Sequence, residues 1–285
     1  MVALYYSAIA RAMLAVRSRR KLAPVNKNIQ RRSPTRRAIG AAVRNILIRR
    51  NGRVWVKVQT GLAKGLWLRL KLQSEQKYWL GYHETEVQEA LRTLLVPGTV
   101  AFDIGAHLGF FSIAMAKLLG STGKIFAFEP DPESAERIQE HALRNNLTPR
   151  ITLQREAVWA YSCPTGIPFK RGSIKRDHGG VCADGNMPPL GDGECISVTS
   201  VTLDGLVQKG YPAPDVIKVD VEGGECEVLK GGRELFSTAK ITLICEIHSN
   251  EAVSWMIGWL RERGYALQWL TSDGILPSLL VARRA

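Results

Sequence analysis

No acidic residue occurs before Glu75, although 18 lysines and arginines precede it. A folded-domain surface normally mixes both signs, so this absence excludes an ordinary domain exterior for the first quarter of the chain. The remaining 211 residues hold 21 basic and 26 acidic side chains, and the net charge of +13 therefore belongs to the leading arm. Cysteine is also sparse. The five cysteines (163, 182, 195, 226 and 245) contain no C-x-x-C pair, which excludes a disulfide scaffold and points to a reducing, cytoplasmic compartment. Long apolar runs are missing. The first 16 residues are apolar apart from Ser7 and Arg11, too short to span a bilayer and without the small-residue cleavage site of a secretory signal. The arm fits a segment lying on anionic lipid, an arm touching nucleic acid, an organelle presequence, or a solvated tail. The dinucleotide fingerprint G-x-G-x-x-G does not occur either.

What does occur is VAFDIGAHLGFFS, Val100 to Ser112. A short apolar run ends in Asp103, Gly105 and Gly109 follow four apart, and a helical pattern from Phe110 to Leu119 stops at Gly120. Strand, glycine turn and helix in this order build a nucleotide-cofactor site at the carboxyl edge of a sheet. Asp103 would repel a diphosphate but suits a ligand bearing an ammonium and a sulfonium, which describes S-adenosylmethionine. The turn Gly105-Ala106-His107 and Gly109 would lie against it. The next apolar run, from Lys124, ends in Glu129 followed by Pro130; an acid there accepts hydrogen bonds from both ribose hydroxyls. Asp131 and Pro132 read as N-cap and first residue of a helix with Ala135, Ile138, Ala142 and Leu143 on one face. A third strand, Ile151 to Arg155, leads to Glu156 and Ala157, which can meet the adenine amino group and ring nitrogen.

The chemistry falls at DVIKVDVEGG, from Asp215. Strand alternation puts Val216, Lys218 and Asp220 on one face, with Asp220 at the carboxyl end. A lysine in a buried strand needs a carboxylate. Ile241 to Ile247 is the next strand, so Asp220, Glu222, Glu246 and His248 converge on one edge, and Asp220, His248, Glu246 and Lys218 form the candidate catalytic set. A histidine near pKa 6.5 or a desolvated carboxylate can take a proton. The carboxylates could hold Mg²⁺, but no metal is assigned. His178, Cys182 and Cys195 lack regular zinc spacing.

The segments DIGAHLGFFS, IFAFEPDPES, VTLDGL, DVIKVDVEGGECEVLKGG and LICEIH, in that order, resemble the FkbM family of S-adenosylmethionine-dependent methyltransferases. The resemblance covers Gly61 to Tyr265, including GLWLRLKLQSEQKYWLGYHETEVQ. It implies a class I methyltransferase fold, a mostly parallel seven-stranded sheet between helices, and O-methylation of small molecules, glycans or lipids. It also implies that the helix beginning at Glu84 lies across the cofactor, with Glu84 as an acid beside it. His107 holds a turn position that is usually Asn or His. Cys163 to Cys195 departs from the pattern. It is rich in Gly, Pro and charge, so acceptor choice does not transfer, and within it Pro164 to Glu194 reads as a substrate loop or lid.

The expected organisation is a basic arm over 1–50, a hairpin and cofactor-covering helix over 51–98, and a catalytic domain over 99–285. Val54–Val58 and Leu66–Leu72 alternate as hairpin strands. Glu84–Leu95 has a helical face of Val87, Ala90, Leu91, Leu94 and Leu95, and Tyr82 and His83 sit either in the pocket or on the surface. Ser249 and Asn250 cap a helix with Ala252, Trp255, Met256, Trp259 and Leu260 on one face. Tyr265–Leu270 and Ile275–Val281 pair around Asp273-Gly274. The leading reading is O-methylation of a small molecule, sugar or glycolipid by a cytoplasmic protein, with peripheral contact to anionic membrane through the arm. A nucleic-acid methyltransferase is less favoured, because the positive charge is segregated from the site. A non-catalytic cofactor-binding module is the alternative outside enzymes.

Overall fold

The alternating segment after Gly52 pairs as an antiparallel hairpin, β1 (Val54–Lys57) with β2 (Trp67–Leu70). The computed structural model describes residues 52–171, 180–181, 194–271 and 276–284. The basic arm, His178, Cys182 and the Asp273-Gly274 turn lie outside the described residues. Helix α1 (Gln76–Leu80) ends at Gly81, and α2 (Thr85–Leu94) buries Val87, Gln88 and Leu91. The Gln88 side chain donates to Gly81 and His83 carbonyls and accepts from the Leu62 N–H, which ties the hairpin loop to α2.

From β3 (Val100–Ile104) the chain alternates strand and helix: α3 (Phe110–Leu118), β4 (Lys124–Phe128), α4 (Pro132–Arg144) and β5 (Ile151–Gln154). The Asp131 carboxylate accepts the Ser134 N–H at 2.8 Å, and Pro132 opens α4, as the capping pattern requires. Two short strands and two long ones follow: β6 (Ala157–Val158), β7 (Cys163–Lys170), β8 (Gly180–Val181) and β9 (Cys195–Val201). Helix α5 (Leu203–Gln208) precedes β10 (Val216–Val219); α6 (Glu225–Lys230) and α7 (Arg233–Thr238) precede β11 (Thr242–Ile247); α8 (Asn250–Glu262) precedes β12 (Tyr265–Trp269) and β13 (Ser278–Arg284). The main sheet has seven strands in the order β12-β13-β11-β10-β3-β4-β5, with β13 antiparallel to both neighbours and the β11-to-β5 pairings parallel. This is the class I methyltransferase fold that the resemblance implied. The order reverses direction at β3 and β10, the point where open α/β sheets bind ligands.

All four residues of β10 are buried, as a central parallel strand covered on both faces demands. Phe102, Ile104, Phe128, Ile217, Val219, Leu243, Phe236, Met256 and Leu260 belong to one buried cluster, each large side chain contributing about 1.5–3 kcal/mol by leaving water. Leu143 is not part of the buried face of α4 as expected; it is 72% exposed. It follows the last buried position, Ala142, and turns to the outer side of the final turn.

Two further expectations are corrected. The third strand stops at Gln154, and Ala157 leaves the main sheet to pair with Ser200 in a second, four-stranded sheet, β6-β9-β7-β8. Pro164–Glu194, expected as a loop or lid, is therefore not simply a loop: it carries most of β7 and all of β8. β7 and β9 pair antiparallel, and Trp159, Ile167, Phe169 and Val198 form a small core beneath them. Trp159 explains two glycines of the segment after Asp220. A Cβ on Gly224 would come within 2.7 Å of its indole, and one on Gly231 within 2.1 Å of its carbonyl oxygen.

Candidate active site

The site is laid out by strand register. Asp103, Lys218 and Ile244 are lateral neighbours on β3, β10 and β11. Two residues further along the same faces come Gly105, Asp220 and Glu246. Gly105 has φ 77°, and a Cβ there would lie 1.8 Å from the Asp220 carbonyl oxygen. The turn can close against the end of β10 only because no side chain intervenes.

A cavity of about 610 Å³ opens at this edge, within the usual range of small-ligand sites. Of the cofactor residues expected from sequence, Gly105, His107, Glu129, Pro130, Glu156, Ala157 and Asp220 line it. Ala106 and Gly109 shape the turn instead: the Ala106 N–H is bonded to the Phe128 carbonyl, and Gly109 packs against Ile138. Glu84 and Asp103 stand outside the cavity lining, as do Lys218, Glu246 and His248. Phe128, Val158, Trp159 and Phe169 give the cavity an apolar wall.

Glu129 is buried, and its two oxygens accept the His107 N–H at 2.7 Å and the Asp131 N–H at 2.8 Å. Burial pushes its carboxyl up to about 7 despite those two bonds. Asp103 is fully buried. Its Oδ2 accepts the Ser112 hydroxyl at 2.5 Å, while Oδ1 has no partner. Burial raises its pKa, opposed by the Lys218 ammonium and the Ser112 bond. A buried carboxyl oxygen without a donor next to the lining residues Ile104 and Gly105, a carboxylate on the cavity wall and an apolar slot suit the ammonium, ribose diol and adenine of S-adenosylmethionine.

Lys218 is 3% exposed and donates to Asp220 Oδ2 at 3.3 Å, with its Nζ 4.9 Å from the centre of the Phe111 ring. Burial alone would lower its pKa, but Asp220, Asp103, Glu84 and Glu246 outweigh burial and the net shift is upward. The structure brings together the edge read from the sequence: His248 Nε2 is 3.5 Å from Glu222, 3.7 Å from Glu246 and 4.0 Å from Asp220. Its Nδ1 meets Glu225 Oε1 at 2.6 Å. His248 does not rest near 6.5. Burial pulls it down, but the Glu225 bond and the charges of Glu222, Glu225 and Asp220 push it up to about 9. Glu246 rises to about 7 through burial and the neighbouring charges of Asp220 and Glu84, against Lys218 and His248.

Glu84 is the N-cap residue of α2 at φ 43° and makes no capping bond. Its Oε1 pairs with His83 Nε2 at 2.7 Å instead. His83 is buried among Tyr78, Phe110 and Phe111, whereas Tyr82 is exposed. Three residues of the site escaped sequence reasoning. Trp159 walls the cavity; its signal was an aromatic directly beyond Glu156-Ala157-Val158. Arg171 lines the cavity from the end of β7 and bonds Asp131 at 2.6 Å, Glu133 at 3.2 Å and Glu194 at 2.9 Å. Glu225 had the look of an ordinary first-turn helix acid.

The sequence profile of the methyltransferase FkbM domain matches residues 103–267, more than half of the chain. The chain belongs to the FkbM methyltransferase family. It is an S-adenosylmethionine-dependent type of methyltransferase, and residues 103–267 run from the buried acid of β3 into β12. This methyltransferase is similar to hexuronic acid methyltransferase AglP of Haloferax volcanii, with 27% identity over 209 residues, covering 69% of this chain and 80% of that protein. It is also similar to 31-O-demethyl-FK506 methyltransferase FkbM of Streptomyces tacrolimicus, with 26% identity over 195 residues, 61% of this chain and 75% of that protein. A crystal structure of methyltransferase FkbM from Methylobacillus flagellatus KT aligns with a TM-score of 0.47 and 14% identity, over 87% of this chain and 60% of that chain. Among the described residues, no helix is long and apolar enough to cross a membrane.

Proposed function

We propose that this methyltransferase methylates a hydroxyl oxygen of a sugar or another small hydroxylated molecule. The observation that carries the reading is the position of Asp220. It lies on the cavity wall, with Lys218 Nζ 3.3 Å from one carboxylate oxygen and His248 Nε2 4.0 Å from the other. An acceptor hydroxyl entering the cavity meets a fixed carboxylate at the carboxyl ends of the strands. The names of two relatives, a hexuronic acid methyltransferase and a 31-O-demethyl-FK506 methyltransferase, support an oxygen acceptor.

In this reading Asp103 Oδ1 takes the ammonium of the cofactor, Glu129 the ribose hydroxyls, and the slot of Phe128, Val158, Trp159 and Phe169 the adenine. Bound S-adenosylmethionine supplies an electrophilic methyl on a sulfonium: an O–C bond forms as the S–C bond breaks, and the acceptor hydroxyl loses its proton. The protein's share is alignment and proton removal. Lys218 fixes the Asp220 carboxylate. Asp220 and Glu222, both on the cavity wall, receive the hydroxyl and its proton. The test is transfer of labelled methyl to a panel of uronic acids, neutral sugars, macrolide alcohols, amines and RNA. Labelling of hydroxylated acceptors, stable to mild base, supports the reading; labelling confined to amines or RNA contradicts it.

A further inference from the structure

Among the described residues, acids outnumber cations at the strand ends. Glu84, Asp103, Asp220, Glu222, Glu225 and Glu246 surround Lys218 and His248. Three of these acids hold a buried oxygen with no hydrogen-bond partner: Glu84 Oε2, Asp103 Oδ1 and Glu225 Oε2. Asp103 and Glu225 are 0% exposed. Asp103 stands in the row just behind Asp220 and Glu246, on the strand face that Lys218 shares. Unpartnered anionic oxygens at such depth call for a cation. The cofactor's ammonium answers for Asp103, and the rest of the cluster is still anionic.

One ligand atom each from Asp220, Glu246 and His248 lie within 4.8 Å of one another. An octahedral ion with bonds of about 2.1 Å holds its ligands about 3.0 Å apart when cis and about 4.2 Å apart when trans. Small side-chain rotations would therefore bring the three onto one ion. Glu246 lies on β11, and Asp220 and His248 are the residues just beyond the adjacent strands β10 and β11, so their backbones are anchored by the sheet. Lys218 meets Asp220 Oδ2, and Oδ1 lies 4.0 Å from His248 Nε2. The imidazole is already aimed. Nδ1–H donates to Glu225, whose same oxygen accepts the Gly223 N–H at 2.9 Å, so Nε2 faces Glu222, Glu246 and Asp220. A buried carboxylate on the far nitrogen is how proteins orient a metal-binding histidine and raise its basicity.

We propose that Asp220, Glu246 and His248 hold a divalent cation. Two carboxylates and one imidazole suit Mn²⁺ best, since carboxylates favour the harder ions and imidazole the first-row metals. Beside Asp220, on the cavity wall, the ion would bind the acceptor oxygen and make its hydroxyl more acidic, with Glu222, also on that wall, left to receive the proton. That role rests on the function proposed above; cation binding does not.

The experiment uses the full-length protein, freed of metal by chelator and titrated with Mn²⁺ by electron paramagnetic resonance and calorimetry, alongside methyl transfer. One saturable Mn²⁺ site is expected, weakened at least about tenfold in Asp220→Asn and in Glu246→Gln and unchanged in the surface variant Glu140→Gln. Methyl transfer should fall with chelator and return with Mn²⁺. Absence of saturable binding in the wild-type protein, or equal binding by Asp220→Asn and Glu246→Gln, overturns the site. Transfer undiminished by chelator overturns the ion's role at the acceptor, while leaving the methyltransferase reading intact. A Mn²⁺ site in a protein that labels no hydroxyl acceptor upholds the cation and overturns the acceptor class.

Discussion

Asp103 and Lys218 are lateral neighbours in the parallel ladder of β3 and β10, yet the lysine bonds Asp220, two residues along its own strand. The buried aspartate is thus left with an unpartnered oxygen. A stability-only design would have spent the lysine on it.

Asp103→Asn removes the buried carboxyl's charge and nearly keeps its shape. Thermal unfolding of the free protein should shift little or upward, while S-adenosylmethionine affinity drops about tenfold or more, the loss of a charge-assisted hydrogen bond of about 1.5–3 kcal/mol. Calorimetry and a melting curve on the same sample check both parts. Lower stability with unchanged affinity would assign Asp103 to the fold alone.

Cofactor affinity should depend on pH through Glu129, whose pKa is raised to about 7. Ribose hydroxyls donate best to the ionised carboxylate, so binding lowers its pKa again and releases protons. Affinity should rise from pH 6 to 8, approaching about tenfold per pH unit below the Glu129 pKa. Glu129→Gln should bind weakly and lose this dependence.

His141 gives a pH effect on stability that is separate from the active site. Nε2 accepts the Arg69 N–H at 2.9 Å, and Nδ1 donates to the Leu108 carbonyl at 2.8 Å, so the ring must be neutral. Burial and Arg137 lower its pKa to about 3. A depressed pKa means that the unfolded chain binds the proton more tightly. The His141 contribution is complete above pH 6.5 and lost as pH falls toward 3. Between pH 7 and pH 5 the wild type should lose about 2 kcal/mol more than His141→Gln, which can keep both bonds without titrating. Denaturant unfolding at the two pH values measures the difference.

The parts of the site legible in the sequence are those set by local pattern. Asp103, Gly105 and Glu129 sit where an apolar run meets a turn, and period-two alternation alone places Lys218, Asp220, Glu246 and His248 on one edge. The second sheet was hidden because β7 contains Pro164, Gly166 at φ 101° and Pro168, and finds its partner β9 only across a long intervening segment. Glu225 could not be assigned from sequence, since its partner His248 lies 23 residues away and only the α6–β11 packing joins them. The raised pKa of His248 was illegible for the same reason: it comes from Asp220, Glu222 and Glu225, one stretch far from it in sequence.

The basic arm, 1–50, carries 13 Lys and Arg residues and no acid. The full-length protein is expected to co-sediment with anionic vesicles and to keep a residual bound fraction at high salt, because Leu4, Tyr5, Tyr6, Ile9 and Leu14 add attraction that salt does not screen. A protein beginning at Asn51 should lose vesicle binding and keep cofactor binding. Equal vesicle binding by the shortened protein contradicts a membrane role; retention on RNA but not vesicles favours a nucleic-acid partner.

The central claim is that Asp220, on the cavity wall, presents a hydroxyl acceptor to the methyl of S-adenosylmethionine. Steady-state transfer of labelled methyl to hydroxylated acceptors, wild type against Asp220→Asn with cofactor affinity measured in parallel, tests it most directly. The account predicts product labelled on oxygen and a kcat lowered by about 10²-fold or more in the variant, with cofactor affinity changed far less. Equal kcat in the two proteins, or label found only on nitrogen or carbon, would contradict it.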